Sequence, residues 1–262
     1  MLPCRQVALA AALLLSACSP PSHVPDFARL PYQPFSRDAA VAIALREWRL
    51  FGAPVRDEPP GARTLPDDEI PMRQEGLWQR VGEYWWLGQN AGSTPGAWTG
   101  KHDQNGREFP PEEDDRYAWS AAFISYVMRV AGAGDRFPYA IAHATYIDKA
   151  RRVSLGMISA WAVSAQPPGQ YAPRPGDLIC TGRDSGASIR FEDLPAPSFP
   201  SHCDLVVSAQ PGSLSVVGGN VGSAVAMKHV PVATDGKLVG SDGQVLDTRY
   251  PWFVVLNVLY DR

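Results

Sequence analysis

The segment WSAAFISYVMRV, residues 119–130, has the clearest helical pattern in the sequence. Its apolar side chains recur at steps of three and four residues, the spacing of one helix face; they are Trp119, Ala122, Phe123, Tyr126, Val127 and Val130. Acidic side chains precede the segment, where they suit a helix dipole, and two glycines follow it, where a helix ends. The segment therefore predicts an amphipathic helix with Ser120 in its first turn.

Three further helices are predicted from the same periodicity. They cover Arg37–Phe51, Gln74–Leu87 and Ala140–Arg152, and Ser36 is the expected N-cap of the first. The stretches 53–73 and 88–114 are rich in Pro, Gly and Asp, which favours irregular structure.

Beyond Pro175 the sequence favours strands. They are expected at Asp177–Thr181, His202–Ser208, Leu214–Gly218, Ala224–Val230 and Trp252–Tyr260. Residues 210–213, Gln-Pro-Gly-Ser, place Pro and Gly where a type II turn requires them. Helices followed by strands predict an α+β fold with an antiparallel sheet.

The N-terminus has the pattern of a bacterial export signal. Arg5 precedes a nine-residue apolar run, Val7–Leu15, which is too short to span a bilayer. The following Leu-Ser-Ala-Cys, residues 15–18, resembles a lipobox, in which Cys18 receives a diacylglycerol after cleavage behind residue 17. Several acyl chains give a persistent anchor. The alternative is an ordinary signal with a chance cysteine.

The chain divides into three predicted parts. Residues 1–17 are a signal peptide, 18–36 a lipidated cysteine and proline-rich tether, and 37–262 a single domain. Ser19 after the cysteine favours the outer membrane, by resemblance to enterobacterial sorting. The whole chain carries 24 basic and 27 acidic residues without a basic cluster, so nucleic acid is not an expected partner. The sequence leaves the oligomeric state open.

Two cysteines remain inside the predicted domain, Cys180 and Cys203. In an oxidising compartment they are expected to form a disulfide between consecutive strands. A zinc site is less favoured because it requires three or four ligands and only His202 lies near them in sequence. We expect no metal and no cofactor.

Several short motifs stand in a recognisable order. They are Arg80–Trp85, Trp119–Phe123, Pro175–Cys180, Ser201–Val207 and Gly218–Asn220. This order resembles the CHAP and NlpC-type amidases and peptidases of the papain-like superfamily, and more closely the bacterial family catalogued as domain of unknown function 2272. The resemblance covers about residues 75–260 and implies a papain-like fold.

The resemblance also implies site residues. Ser120 stands at the position of the amidase cysteine, His202 at that of the base, and Asn220 at that of the residue that orients the imidazole. The exchange of Cys for Ser matters because a hydroxyl has a far higher pKa than a thiol. The alternative for Ser120 is a serine that only satisfies backbone donors at its helix start.

Other side chains are candidates for the same groove. Trp119, His143 and Tyr146 are expected to contribute to binding. Asp204 could assist His202, but neighbouring residues of a strand point to opposite faces, which disfavours this pairing.

The sequence favours an envelope lipoprotein that hydrolyses peptidoglycan or another peptide amide through Ser120 and His202. Its expected partners are the membrane, through the lipid, and peptidoglycan. Two alternatives stay open: a non-catalytic protein that binds cell-wall peptide in a papain-like groove, and an esterase or acyltransferase.

Overall fold

The computed structural model describes residues 34–62, 65–89 and 94–260. The predicted signal peptide, Cys18 and the tether up to residue 33 lie outside these residues. Within the described part of the chain, no helix combines the length and apolar character needed to cross a membrane.

Four α-helices precede the sheet in the described chain. They are α1 (Arg37–Leu50), α2 (Leu77–Leu87), α3 (Ser120–Val130) and α4 (His143–Ser154). The Ser36 N-cap is confirmed, since its hydroxyl accepts from the Ala39 amide at 3.2 Å. The predicted starts of α2 and α4 were three residues too early. Gly76 has a φ of 84° and Ala142 an extended backbone, so neither position can continue a helix.

The strands form one six-stranded sheet in the order β1-β6-β2-β3-β4-β5, and every pairing is antiparallel. Their bounds are β1 (Val163–Gln166), β2 (Leu178–Gly182), β3 (Ser201–Gln210), β4 (Ser213–Val221), β5 (Ala224–Pro231) and β6 (Trp252–Val258). The α+β class with an antiparallel sheet is confirmed. The sequence analysis missed β1, a four-residue edge strand that pairs only with β6.

The helices pack on one face of the sheet. α3 lies against β3 and β4, α4 lies against β1, and α2 packs on α3. The largest cluster of buried apolar side chains fills this interface, and a second, smaller one lies around Val206, Val216 and Trp252. The start of α3 is thereby held against the middle of the sheet.

The Pro-Gly-Asp motif has a structural explanation. Asp177 is fully buried. One carboxylate oxygen accepts from the Tyr171 hydroxyl at 2.9 Å and the Arg174 amide at 3.0 Å. The other accepts from the Asn257 side chain and the Val258 amide, both at 3.2 Å. Asp177 therefore joins the start of β2 to the end of β6.

The motif that begins at Arg80 also serves packing. Its guanidinium donates to the buried Glu47 carboxylate at 2.6 and 3.1 Å, and the Tyr84 hydroxyl donates to the same carboxylate at 2.7 Å. A buried charge is tolerated when it is paired and hydrogen-bonded in this way. This network connects α1 to α2.

The predicted disulfide is confirmed. Cys180 and Cys203 lie directly opposite each other in the β2–β3 ladder and their sulfurs are bonded. The bridge fixes the start of β3, the strand that carries His202.

Candidate functional site

The site begins at the N-terminus of α3. Ser120 is the first residue of that helix, which confirms its predicted place in the first turn. Its Oγ lies 2.7 Å from Nε2 of His143, and the two residues are only 5% and 3% exposed. Free backbone N–H groups at a helix start favour negative charge nearby.

His143 and Tyr146 lie three positions apart on α4, so they share a helix face. The Tyr146 hydroxyl contacts Nδ1 of His143, which is its one hydrogen-bond partner among the described residues. Burial raises the pKa of Tyr146 well above its ordinary value, so the hydroxyl keeps its proton. A buried O–H group whose one partner is a nitrogen donates its proton to that nitrogen. A buried donor without an acceptor costs more free energy than a buried acceptor without a donor.

This contact assigns the proton on His143. Burial, with the neighbouring His202 as the next cause, lowers the pKa of His143 well below its ordinary value, so the ring is neutral at pH 7. Since Nδ1 accepts from Tyr146, the ring proton is on Nε2, and Nε2 donates to Ser120 Oγ. His143 is thus a hydrogen-bond donor toward the hydroxyl oxygen.

The second histidine belongs to a buried ionic group. His202 Nε2 lies 2.9 Å from Asp204 Oδ1, and Lys228 Nζ lies 2.6 Å from Asp204 Oδ2. The sequence argument against Asp204 was wrong: residues 202 and 204 are two apart on β3 and so point to the same face. Asp204, not Asn220, is the partner of the His202 imidazole in the structure.

Burial and the neighbouring charges shift the pKa values in this group in opposite directions. Burial by itself would raise the pKa of Asp204, but Lys228 and His202 together hold it well below its ordinary range. Burial lowers the pKa of His202 although Asp204 acts in the other direction. The Asp204 carboxylate is therefore ionised and accepts from His202 Nε2–H. The other nitrogen, Nδ1, keeps its lone pair and is buried without a hydrogen-bond partner in the described chain.

The two imidazoles are neighbours, with ring centroids 5.3 Å apart. Ser120 and His202, which the sequence analysis paired directly, are not hydrogen-bonded to each other in the described chain. His143 occupies the position next to the serine. The structure thus gathers Ser120, His143 and His202 at one place, with different contacts from those expected.

Two glycines on β4 leave room for the side chains of Asp204, His202 and Phe123. A Cβ on Gly218 would lie 1.8 Å from Asp204 Oδ1 and 3.0 Å from His202 Nε2. A Cβ on Gly219 would lie 2.5 Å from that of Phe123 on α3. Real Cβ atoms do not come this close to other heavy atoms, so both positions require glycine.

A cavity of about 340 Å³ opens beside His202. The charged and polar side chains that line it include Thr181, Arg183, Asp184, His202, Asn220, Lys228, Arg249 and Tyr250. Asn220 has a φ of 55°, a left-handed conformation that asparagine tolerates better than most residues. Ser120 and His143 are absent from the lining.

Trp119 and Tyr146 were predicted to contribute to binding, and both are fully buried. The Trp119 ring packs against Phe51 and Tyr84, and its Nε1 faces Met72 Sδ at 3.1 Å. This position gives Trp119 a packing role. Its binding role stays a prediction.

Sequence analysis did not identify Lys228 and Arg183. A signal for Lys228 was available, because it interrupts AVAMKHVP, residues 224–231, a strand that is apolar except for Lys228 and His229. Lysine is almost never fully buried unless it is paired. Arg183 carried no comparable signal. In the described residues, no group of three His, Cys, Asp or Glu side chains is arranged to hold a metal ion.

Comparison with known proteins gives one match. A family model described as an uncharacterized protein conserved in bacteria, domain of unknown function 2272, matches residues 72–258, more than two thirds of the chain. No curated protein matches. No solved structure matches either.

Proposed function

Because the chain belongs to the bacterial family catalogued as domain of unknown function 2272, whose description assigns no reaction, we propose a function from the site itself. The protein is a hydrolase of peptide amides in the cell envelope, with peptidoglycan as its expected substrate and Ser120 as its nucleophile. The order of motifs that resembles the papain-like amidases supports the proposal, and so does the helix-then-sheet architecture.

One observation carries it: Ser120 Oγ accepts a hydrogen bond from His143 at 2.7 Å at the start of α3. A donor aimed at a hydroxyl oxygen stabilises the negative charge that develops there, and the helix start adds partial positive charge. A serine nucleophile also requires a base that accepts its proton.

The two histidines have different tasks in this proposal. His143, held by Tyr146, is a donor and a positioning residue. His202 is the base, because its Nδ1 has a lone pair without a partner and its Nε2–H is fixed by Asp204. A base oriented by a third group is the general arrangement of such sites.

The reaction follows from these tasks. Once His202 Nδ1 comes within hydrogen-bond reach of Ser120 Oγ, the oxygen attacks the substrate carbonyl carbon as its proton passes to that nitrogen, which forms a tetrahedral intermediate. The C–N bond then breaks, the amine leaves with the proton from His202, and an acyl ester remains on Ser120. Water, deprotonated by the same nitrogen, hydrolyses this ester and restores the serine.

The rival proposal is a non-catalytic protein that binds cell-wall peptide. One observation favours it: His202 and Asn220 line the cavity, whereas Ser120 and His143 are nearly buried and do not. Hydrolysis therefore requires a local opening above Ser120. An esterase or acyltransferase would use the same serine and differ only in its substrate.

Digestion of purified peptidoglycan by the full-length protein, followed by muropeptide analysis, tests the proposal. Wild type should release new fragments and Ser120→Ala should release none. Ser125→Ala is the matched control, because Ser125 lies on the same helix and donates to the Ala140 carbonyl. A binding protein would release no fragments and would retain peptidoglycan in the wild type, in Ser120→Ala and in Ser120→Cys. Cleavage by Ser120→Ala at the wild-type rate would show that the nucleophile is wrong.

We also propose that the chain is a lipoprotein anchored through Cys18 and facing the periplasm, most consistently at the outer membrane. The support is the sequence of residues 15–18 and the nine-residue apolar run. Replacement of Cys18 by Ala should abolish acylation and release the protein from membranes. Cys18→Ala protein that is still cleaved after residue 17 and still sediments with membranes would contradict lipidation.

A further inference from the structure

The cavity beside His202 is lined by cationic side chains that differ in whether a carboxylate pairs with them. Three cationic side chains line it: Arg183, Lys228 and Arg249. Lys228 is paired with Asp204 at 2.6 Å, and Arg249 is paired with Asp247 at 2.8 Å. Both charges are thus compensated by a nearby carboxylate.

Arg183 differs from the other two. Within the described residues, its guanidinium has no hydrogen-bond or ion-pair partner. Its charge nevertheless reaches the site: although burial is the main cause of the lowered pKa values of His143 and His202, Arg183 lowers both further. Arg183 is exposed and lines the same cavity as His202, and its guanidinium has donors that no described residue uses.

Backbone contacts fix the main chain of Arg183. It follows Gly182, the last residue of β2, and its amide donates to the Pro200 carbonyl at 3.0 Å. A Cβ on Gly182 would lie 2.0 Å from the Gly186 carbonyl oxygen, so the turn after β2 is tight. Two positions before Arg183, Thr181 stands opposite His202 in the ladder.

We propose that Arg183 binds a carboxylate of the substrate, so that the site selects peptides with a free carboxylate close to the scissile amide. This inference rests on the proposed function and specifies its substrate class. A planar guanidinium with free N–H groups matches a carboxylate in a bidentate geometry. The cavity volume of about 340 Å³ accommodates a short peptide segment.

The neighbouring Asp184 also lines the cavity and would oppose a substrate carboxylate. No ion pair joins it to Arg183 in the described chain. Replacement of Asp184 by Asn should therefore strengthen carboxylate binding, because it removes the repulsion between two negative charges.

The test compares two probes, acetyl-alanyl-alanine and its carboxamide, which differ only in the terminal charge. Their dissociation constants for the full-length protein are measured by NMR titration at low salt. Wild type should prefer the carboxylate about two- to fivefold, since an ion pair to an exposed guanidinium is worth no more than that. Arg183→Gln should lose the preference and Arg183→Lys should keep part of it.

Arg190→Gln is the matched control, because Arg190 lies on the same β2–β3 connection and does not line the cavity. It should keep the full preference. A wild type without preference, including one that binds neither probe, would overturn the inference, and so would an Arg183→Gln variant that retains the preference.

Failure of the hydrolase proposal is detected separately. A fluorophosphonate, which reacts with activated serines without needing a carboxylate, should label Ser120 equally in wild type and in the control Arg190→Gln. Carboxylate preference without labelling would disprove hydrolysis and leave the binding role of Arg183 standing. Labelling of Ser120 without a carboxylate preference would support hydrolysis and disprove the binding role of Arg183.

Discussion

Replacement of Lys228 by Met tests the buried ionic group that holds His202. The Lys228 side chain is 1% exposed and that of Asp204 is fully buried, with Nζ and Oδ2 2.6 Å apart. The ammonium also lies 4.6 Å from the Tyr250 ring centroid and 5.6 Å from that of Trp252. Methionine keeps most of the side-chain length and removes the charge.

The expected loss of unfolding free energy follows from the burial of Asp204. At an effective dielectric constant of about 20, the attraction across 2.6 Å amounts to roughly 6 kcal/mol, and desolvation of the two ions offsets much of it. Removal of one partner leaves the other charge buried alone, which costs about 3 to 5 kcal/mol. The packing change from Lys to Met contributes less than about 1.5 kcal/mol. The unpaired Asp204 carboxylate is thus the main cause of the expected loss of unfolding free energy.

Urea denaturation at pH 7 measures the effect as a shift of the midpoint at constant slope. Lys237→Met is the matched control: its Nζ lies 2.8 Å from Asp235, but the two side chains are 33% and 53% exposed. Such a surface pair contributes about 1 kcal/mol or less. The double variant Lys228→Met/Asp204→Asn should lose less stability than Lys228→Met alone, because it has no unpaired charge.

The substitution Lys228→Met should also alter the pH dependence of activity. Burial is the main cause of the lowered pKa of His202, and Lys228 lowers it further. Loss of Lys228 should raise the pKa of His202 and move the acid limb of activity to higher pH, since the base must be neutral. A Lys228→Met variant as stable as Lys237→Met, with an unchanged acid limb, would refute the buried pair.

Three further predictions concern the same region. Gly218→Ala should abolish activity and destabilise the fold, because its Cβ would lie 1.8 Å from the Asp204 carboxylate. Activity assays and thermal melting check this, and wild-type activity with a wild-type melting temperature would contradict it. Burial lowers the pKa values of His143 and His202 from 6.5. The free energy of unfolding should therefore fall as the pH drops below 6.5, by up to about 1.4 kcal/mol per pH unit for each ring. Denaturation midpoints that are flat from pH 7 to 5 would refute this. Replacement of Cys180 and its disulfide partner by Ser should cost about 3 kcal/mol for a loop of 23 residues, and a loss below 1 kcal/mol would contradict the bridge's role.

The sequence was most informative where local patterns decide structure. The bounds of α3 were predicted to within one residue because its apolar face follows strict helical spacing. The Cys180–Cys203 bridge was predictable because consecutive strands of an antiparallel sheet bring such pairs together. The edge strand β1 was missed because Val-Ser-Ala-Gln, residues 163–166, has no distinctive apolar run.

The contacts of the site depend on tertiary packing and were only partly predictable. The spacing of His143 and Tyr146 places them on one face of α4, but only the packing of α4 against the sheet brings that face to Ser120. The role of Asp204 was within reach, since the alternation along β3 puts it beside His202. The pairing of Lys228 required knowledge that β5 and β3 both border β4.

The claim that Ser120 is an activated nucleophile has a direct measurement. Full-length protein is incubated with a fluorophosphonate, and the modified residue and its rate of modification are determined by peptide mass spectrometry. The account predicts an adduct on Ser120, none in Ser120→Ala, and labelling at least a hundredfold slower in His202→Gln, since a positioned base contributes a factor of about 10²–10⁴. Absence of an adduct on Ser120 under conditions that label a known serine hydrolase, or equal labelling of wild type and His202→Gln, would contradict it.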